Sequence, residues 1–235
     1  MKTYCLGDPH GNFKGVVQAT LRSGFKPQED RMIILGDICD GFSEVRECID
    51  LFLRWKNVIL IRGNHDEWAL EWFNREDPYH NVVPERYWTE QGGRSTLKSY
   101  KEGMPKTHIK FLQSALPYYI DEKNNLYVHG GFNPSKHIEE QSYQDLMWDR
   151  DLLRIAQHKH NQKPDYKYGD YNLIFVGHTT TQCYKTTDPI RYCNVIDLDT
   201  GGGWSGKVTI MERDTGEFWQ SDLAKELYPE ESGRR

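Results

Sequence analysis

Five short apolar runs in this chain each stop at a glycine beside a residue able to bind a metal ion. Tyr4-Cys5-Leu6 leads into Gly7-Asp8-Pro9-His10-Gly11, and Met32-Ile33-Ile34-Leu35 into Gly36-Asp37-Ile38-Cys39-Asp40-Gly41. Val58-Ile59-Leu60-Ile61 leads, through Arg62, into Gly63-Asn64-His65-Asp66. Leu126-Tyr127-Val128 meets His129-Gly130-Gly131, and Leu173-Ile174-Phe175-Val176 meets Gly177-His178-Thr179. One such junction is an ordinary turn; five in one chain point to a converged site. Asp8, His10, Asp37, Asn64, His129 and His178 offer oxygen and imidazole ligands without a thiolate. Such a set suits Mn²⁺, Fe or Zn²⁺. Six ligands are too many for one catalytic ion that must keep an open position. They are about right for two ions sharing a carboxylate. Two ions about 3.5–4 Å apart can hold one hydroxide and clamp a phosphate, because the cations stabilise hydroxide near neutral pH.

These residues need strands that end together. An apolar run of four to eight residues bounded by glycine reads as a buried strand, and open α/β sheets place ligands at the carboxyl ends of their strands. Residues 3–7, 31–36 and 58–62 are the first three expected strands. Between them, 12–22 carries Phe13, Val16, Val17 and Leu21 at helical spacing and stops at Ser23-Gly24. Val45, Cys48, Ile49, Phe52 and Leu53 make a second apolar helical face behind Ser43, which reads as its N-cap. The order β-α-β-α-β predicts a parallel sheet with covering helices. Strands at 126–129, 173–177, 193–198, 207–211 and 217–219 follow. Gly201-Gly202-Gly203 and Asp214-Thr215-Gly216 read as turns that make the last three an antiparallel meander.

Residues 66 to 120 differ. They hold Trp68, Trp72, Phe73, Tyr79, Tyr87, Trp88 and Tyr100 among many charges, and predict short helices in a cap-like segment whose aromatics mostly pack. Ser142 to Leu153 reads as helical, 158–168 as a loop, and 222–235 as a charged tail that frays. His80, His108, His137, His158 and His160 fall outside the strand-end pattern and are assigned to surface or loops.

The chain of 235 residues suits a single domain with a substantial core. Its 37% hydrophobic and 28% charged residues fit a soluble globular protein. No apolar run nears the roughly 18 residues needed to cross a bilayer, so a cytoplasmic location without membrane partners is expected. The formal charge of −5 gives no basic field to recruit nucleic acid. Cys5, Cys39, Cys48, Cys183 and Cys193 contain no CxxC pair and read as buried, reduced thiols.

In this order GDPHG, GDICDG, GNHD, HGG and GHT resemble the metallophosphoesterases of the phosphoprotein phosphatase type, above all small bacterial and bacteriophage serine/threonine protein phosphatases. The resemblance runs over about residues 3 to 220. It implies an α/β calcineurin-like sandwich, two facing mixed β-sheets flanked by helices, acting as a monomer on phosphoproteins or small phosphoesters. Asp8 and His10 would hold a first ion, Asp37 both, and Asn64, His129 and His178 a second, with Mn²⁺ the expected metal. A bridging hydroxide would attack phosphorus with no covalent phosphoenzyme. His65 would be the general acid, Asp40 would orient it, and Arg150 of Trp148-Asp149-Arg150 would grip the phosphate. Dinucleoside polyphosphate hydrolases and nucleotide or RNA-end phosphoesterases share the same motifs and are the alternative. An inactive binding scaffold would show eroded ligands, and all six are present. The family usually writes GDxxDRG, and here Gly41 stands where the arginine would follow Asp40. That loss predicts a weaker grip on a terminal phosphate, with Arg46, Arg62 and Arg94 as replacements to consider.

Overall fold

Alternation along the strands sorts the core into layers. In β1 (Thr3–Leu6) Tyr4 and Leu6 join one hydrophobic cluster and Cys5 another. In β2 (Arg31–Ile34) Met32 and Ile34 part from Ile33 in the same way. Neighbouring residues of a strand face opposite sides, so both strands are buried on two faces. The structure, a computed structural model, describes residues 1–74 and 85–234.

Two five-stranded mixed sheets face each other. β3 (Asn57–Leu60) and β2 lie parallel to β1, while β9 (Thr209–Glu212) and β10 (Phe218–Gln220) add antiparallel strands in the order β10-β9-β1-β2-β3. In the second sheet β5 (Leu126–Val128), β6 (Ile174–Val176) and β8 (Val195–Asp197) are parallel. β4 (Tyr118–Ile120) and β7 (Ile190–Tyr192) form its antiparallel edges. Cys5, Ile33, Tyr127, Phe175 and Ile196 fill the space between the sheets, with the Tyr127 and Phe175 rings stacked 5.0 Å apart. Each such aromatic contributes about 1.5–3 kcal/mol by burial. Helices cover the outer faces, Phe13–Ser23 and Val45–Phe52 on the first sheet and Asp151–Gln162 on the second. Asn12 caps the first of these by accepting from the Gly15 amide. No helix among the described residues is long and apolar enough to cross a membrane.

Several local expectations are corrected. Residues 193–198 do not begin a meander: β8 belongs to the second sheet, and the loop after it crosses to β9 in the first. The glycines at 201–203 serve that crossing rather than a tight hairpin. The helix Asp151–Gln162 takes the first part of the expected loop at 158–168. Cys183 is exposed, while the other four thiols are buried. His108 is buried, held between the Tyr100 hydroxyl at 2.8 Å and Asp50 at 3.0 Å. Segment 222–234, expected as a charged tail, packs on the domain: Ala224–Leu227 form a short helix, and Tyr228 stacks on Phe42 at 4.5 Å. Its two apolar side chains at 224 and 228 are buried, which anchors an otherwise charged stretch. Tyr79 and His80 lie outside the described residues.

The two sheets are also tied by charge. Arg213, at the end of β9, is 6% exposed and donates to Asp121, Glu122 and Asp214 at 2.8–3.1 Å. Asp121 sits in the β4–β5 turn and accepts from the Tyr127 hydroxyl as well. Truncating one partner of a buried pair strands the other charge, at about 3–5 kcal/mol. Arg213→Met should therefore lower unfolding stability by that amount in urea titrations. The Arg213 hydrogen bonds hold Glu122 and Asp214 down at about 2. Carboxyls depressed in the folded state stabilise it above their ordinary pKa near 4. That stabilisation fades as pH falls through about 2. Arg213→Met should flatten this acid limb of the stability profile.

Candidate metal centre

The carboxyl ends of β1, β2, β3, β5 and β6 converge at one end of the sandwich. Asp8, His10, Asp37, Asn64, His129 and His178 are all buried there. Their side-chain donors form two overlapping groups, Asp8-His10-Asp37 and Asp37-His129-His178, each within 4.8 Å. Asp37 belongs to both. Its Oδ2 lies 3.5 Å from His10 Nε2 and 3.3 Å from His129 Nε2, and Asn64 Oδ1 lies 3.2 Å from His129 Nε2. Asp8, Asn64 and the three imidazoles thus stand where the sequence expects them, around one centre.

The backbone is bent to bring them in. His10, Asp37, Asp40 and His178 have φ of 45°, 49°, 70° and 65°. This left-handed region is uncommon outside glycine, and strain held at several neighbouring positions is a mark of functional sites. Gly177 has no room for a Cβ, which would collide with Asp8 Oδ1. Hydrogen bonds fix four of these six side chains. His10 Nδ1 donates to the Cys39 carbonyl at 2.9 Å and His129 Nδ1 to the Leu35 carbonyl at 2.7 Å, leaving both Nε2 atoms for the centre. Asp8 accepts from the His178 amide and Asp37 from the His65 amide. Asp66, in the first turn of the helix Asn64–Phe73, accepts from the Ile38 and Cys39 amides and so pins the loop after Asp37.

Cations fit this cluster. Asp8 Oδ1, Asp37 Oδ2, His178 Nε2 and Asp199 Oδ2 are buried with no hydrogen-bond partner, an arrangement that is costly unless something binds them. Burial and then the Asp199 carboxylate push Asp8 well above the usual range. Burial pulls His10 and His178 well down. Against its own burial, His129 is raised to about 9 by Asp37. Two imidazoles kept neutral, at His10 and His178, beside crowded carboxylates suit a site for positive ions.

His65 stands beside the cluster, its ring edge-on to His10 at 5.0 Å. Its Nδ1 is 2.6 Å from Asp40 Oδ2, and its Nε2 is buried without a partner. Burial pushes Asp40 up to about 8, although Thr96 and Trp88 donate to it at 2.7–3.0 Å. Burial pushes His65 down to about 3. A proton held in the short Asp40–His65 bond leaves Nε2 to carry its own hydrogen, so the imidazole can present an N–H to the cluster. Trp88 and Thr96, which position Asp40, were not marked by any strand-end signal; they come from the aromatic middle segment. Trp68 packs on His65 at 4.8 Å and meets Tyr87 and Trp148, an aromatic wall beside the site. Arg150 is exposed at the rim, donating through Nη1 to the His178 carbonyl and the Thr179 hydroxyl.

None of the three expected replacement arginines reaches the cluster in its place. Arg62 pairs with Glu67 at 2.7 Å and donates to the Gln113 carbonyl, and Arg46 lies over the Tyr100 ring. Arg94 lines a separate cavity of about 470 Å³ with Gly41, Gly92, Lys98 and Glu231.

Residues 1–182 match the family model for calcineurin-like phosphoesterase. Serine/threonine-protein phosphatase 2 of Salmonella typhimurium is 26% identical, over 89% of this chain and 91% of its own. A symmetrical bis(5'-nucleosyl)-tetraphosphatase of Neisseria meningitidis is 23% identical, over 95% and 96%. Among solved structures, one described only provisionally as a diadenosine tetraphosphatase is similar with a TM-score of 0.67 at 14% identity, over 93% of this chain and 92% of that one. With the gathered Asp and His ligands, the match places this chain in the calcineurin-like phosphoesterase family, whose members work through a dinuclear metal site.

Proposed function

We propose that this protein is a serine/threonine protein phosphatase that hydrolyses phosphomonoesters with two divalent ions, Mn²⁺ by preference, in the cytoplasm. The observation that carries the reading is the pair of ligand groups sharing Asp37, with a carboxyl-oriented imidazole beside them. Asp8, His10 and Asp37 would hold one ion, and Asp37, Asn64, His129 and His178 the other. Bound there, the ions supply Lewis acidity that makes water nucleophilic near neutral pH and offsets phosphoryl charge. His65 would protonate the departing alkoxide through Nε2 as the P–O bond breaks, with Asp40 holding its ring. Arg150 would steady the phosphoryl oxygens from the rim.

One observation favours a second reading, a dinucleoside polyphosphate hydrolase. Trp68, Tyr87 and Trp148 line the side of the cluster, with Tyr87 52% exposed. Aromatic faces of this kind can stack a base. A panel of a phosphoserine peptide, a bis-nucleoside tetraphosphate and a 2′,3′-cyclic nucleotide, each with Mn²⁺, separates the two. The expected result is a kcat/KM at least about tenfold higher for the peptide, about 1.4 kcal/mol of discrimination. Preference for the tetraphosphate would transfer the assignment to the second reading. No turnover of any phosphoester with Mn²⁺, Fe²⁺ or Zn²⁺ would leave only a scaffold. A single turnover in ¹⁸O-water should place one label in the released phosphate.

A further inference from the structure

Gly41, where the resemblance leads one to expect an arginine, is not empty space. It has φ of 82°, and a Cβ there would lie 2.9 Å from both Cβ and the carbonyl oxygen of His10. The room on the other side is taken by Arg234. The Cγ of Arg234 lies 3.4 Å from where a Cβ would stand at Gly41, and 3.4 Å from the same point at Gly92. The stem of this arginine therefore runs between two residues that have no side chains. Its Nη1 reaches 3.3 Å from His10 Nε2, and its guanidinium lies over the Trp204 ring at 5.0 Å. Its Nε is buried without a hydrogen-bond partner.

The segment that carries it is pinned. The Arg234 amide donates to the Gly203 carbonyl at 3.0 Å. Glu231 accepts from the Ser43 hydroxyl at 2.7 Å and the Ser43 amide at 3.0 Å. Ser43 does not cap its helix, as its position suggests, but anchors this segment. The Tyr228 hydroxyl donates to Glu44 and accepts from the Lys14 amide. A guanidinium held this firmly, with a buried N–H unmet and a ligand cluster in front of it, is a site for an anion. Once His10 Nε2 gives its lone pair to a cation, Nη1 needs another acceptor too.

We propose that Arg234 is a second phosphate-gripping arginine of this protein beside Arg150, brought by segment 228–234 into the space that Gly41 and Gly92 leave open, where its guanidinium binds non-bridging oxygens of the phosphoryl group. This rests on the phosphoesterase reading of the adjacent centre. The missing cation of the GDICDG motif is then supplied from nearly two hundred residues away in sequence. Substrate choice follows, since a planar guanidinium pairs with two oxygens of a terminal phosphate. The expected preference is for monoesters.

The test is titration calorimetry of inorganic phosphate into the Mn²⁺-loaded protein, with metal content measured on the same samples. Arg234→Gln should weaken phosphate binding about 10- to 100-fold, the range for a lost charge-assisted contact. Arg234→Lys should recover part of it, and bound manganese should stay at the wild-type level. KM for p-nitrophenyl phosphate should rise in parallel. Phosphate affinity within twofold of wild type in Arg234→Gln would overturn the proposal. So would tighter manganese or phosphate binding in that variant, which would mark Arg234 as a plug over His10. Glu231→Ala, which frees the segment from Ser43, gives a second, independent variant and should show the same direction of change. If the wild type hydrolyses phosphoesters while Arg234→Gln binds phosphate normally, this inference alone fails. If the wild type binds phosphate through Arg234 yet turns over nothing, the phosphatase reading fails and this one stands.

Discussion

Asp37→Asn should abolish hydrolysis, lowering p-nitrophenyl phosphate turnover by more than about 10³-fold, and should cut the manganese retained per chain after gel filtration. Removing a single electrostatic donor from a catalytic site costs about 10²–10³. Asp37 does more than one donor's work, because both ligand groups contain it. Its Oδ1 is taken by the His65 amide at 3.0 Å, and its Oδ2 faces His10 and His129 with no hydrogen bond of its own. An asparagine keeps the shape and the amide contact but removes the charge that offsets two cations. Asp66→Asn is the control. Asp66 carries the loop of Asp37 by accepting from two amides through one oxygen, and an amide oxygen can still accept. It should lose far less activity and keep its metal. An Asp37→Asn protein that retained wild-type manganese and activity within tenfold would show that the two groups are not bridged by this carboxylate.

That these side chains gather was legible in the sequence because each follows its strand within a few residues. A buried strand is recognisable from its apolar run, a parallel sheet puts such strand ends on one side, and so Asp8, Asp37, Asn64, His129 and His178 could be gathered before any coordinates. What it could not carry were contacts made by residues without a local signature. Trp88 and Thr96 hold Asp40 from 48 and 56 residues away, and nothing around them distinguishes packing aromatics from hydrogen-bond donors. Arg234 sits in a charged stretch whose only ordering signals are a few apolar side chains, Ala224 and Tyr228 among them. His108 looks like a surface residue in a helix rich in lysine, yet it is enclosed because Tyr100 and Asp50 meet both ring nitrogens. The assignment of β8 failed for a related reason. Glycine-rich connections permit both a hairpin and a crossing between sheets, and the choice is made by which sheet has a free parallel neighbour, here β6.

His65→Asn tests the other half of the mechanism, and its signature is a dependence on the leaving group. The imidazole is held at Nδ1 by Asp40 and packed by His10 and Trp68, while Nε2 is buried and unpartnered. A positioned acid contributes about 10²–10⁴ in rate, but only where the departing oxygen needs a proton. The alkoxide of a phosphoserine peptide is a poor leaving group, whereas p-nitrophenolate departs readily without help. His65→Asn should therefore lose about 10²–10⁴ in kcat on the peptide and distinctly less on p-nitrophenyl phosphate, with bound manganese unchanged. Asp40→Asn should shift both substrates in the same sense by a smaller factor, because Trp88 and Thr96 still hold the side chain at 40 while the carboxyl group that orients the ring is gone. Equal losses on the two esters, with the metal retained, would mean that His65 acts on the phosphoryl group or the nucleophile and not on the leaving oxygen. The proton needed at that oxygen would then have to come from another group, while Arg150 Nη1 is already committed to the His178 carbonyl.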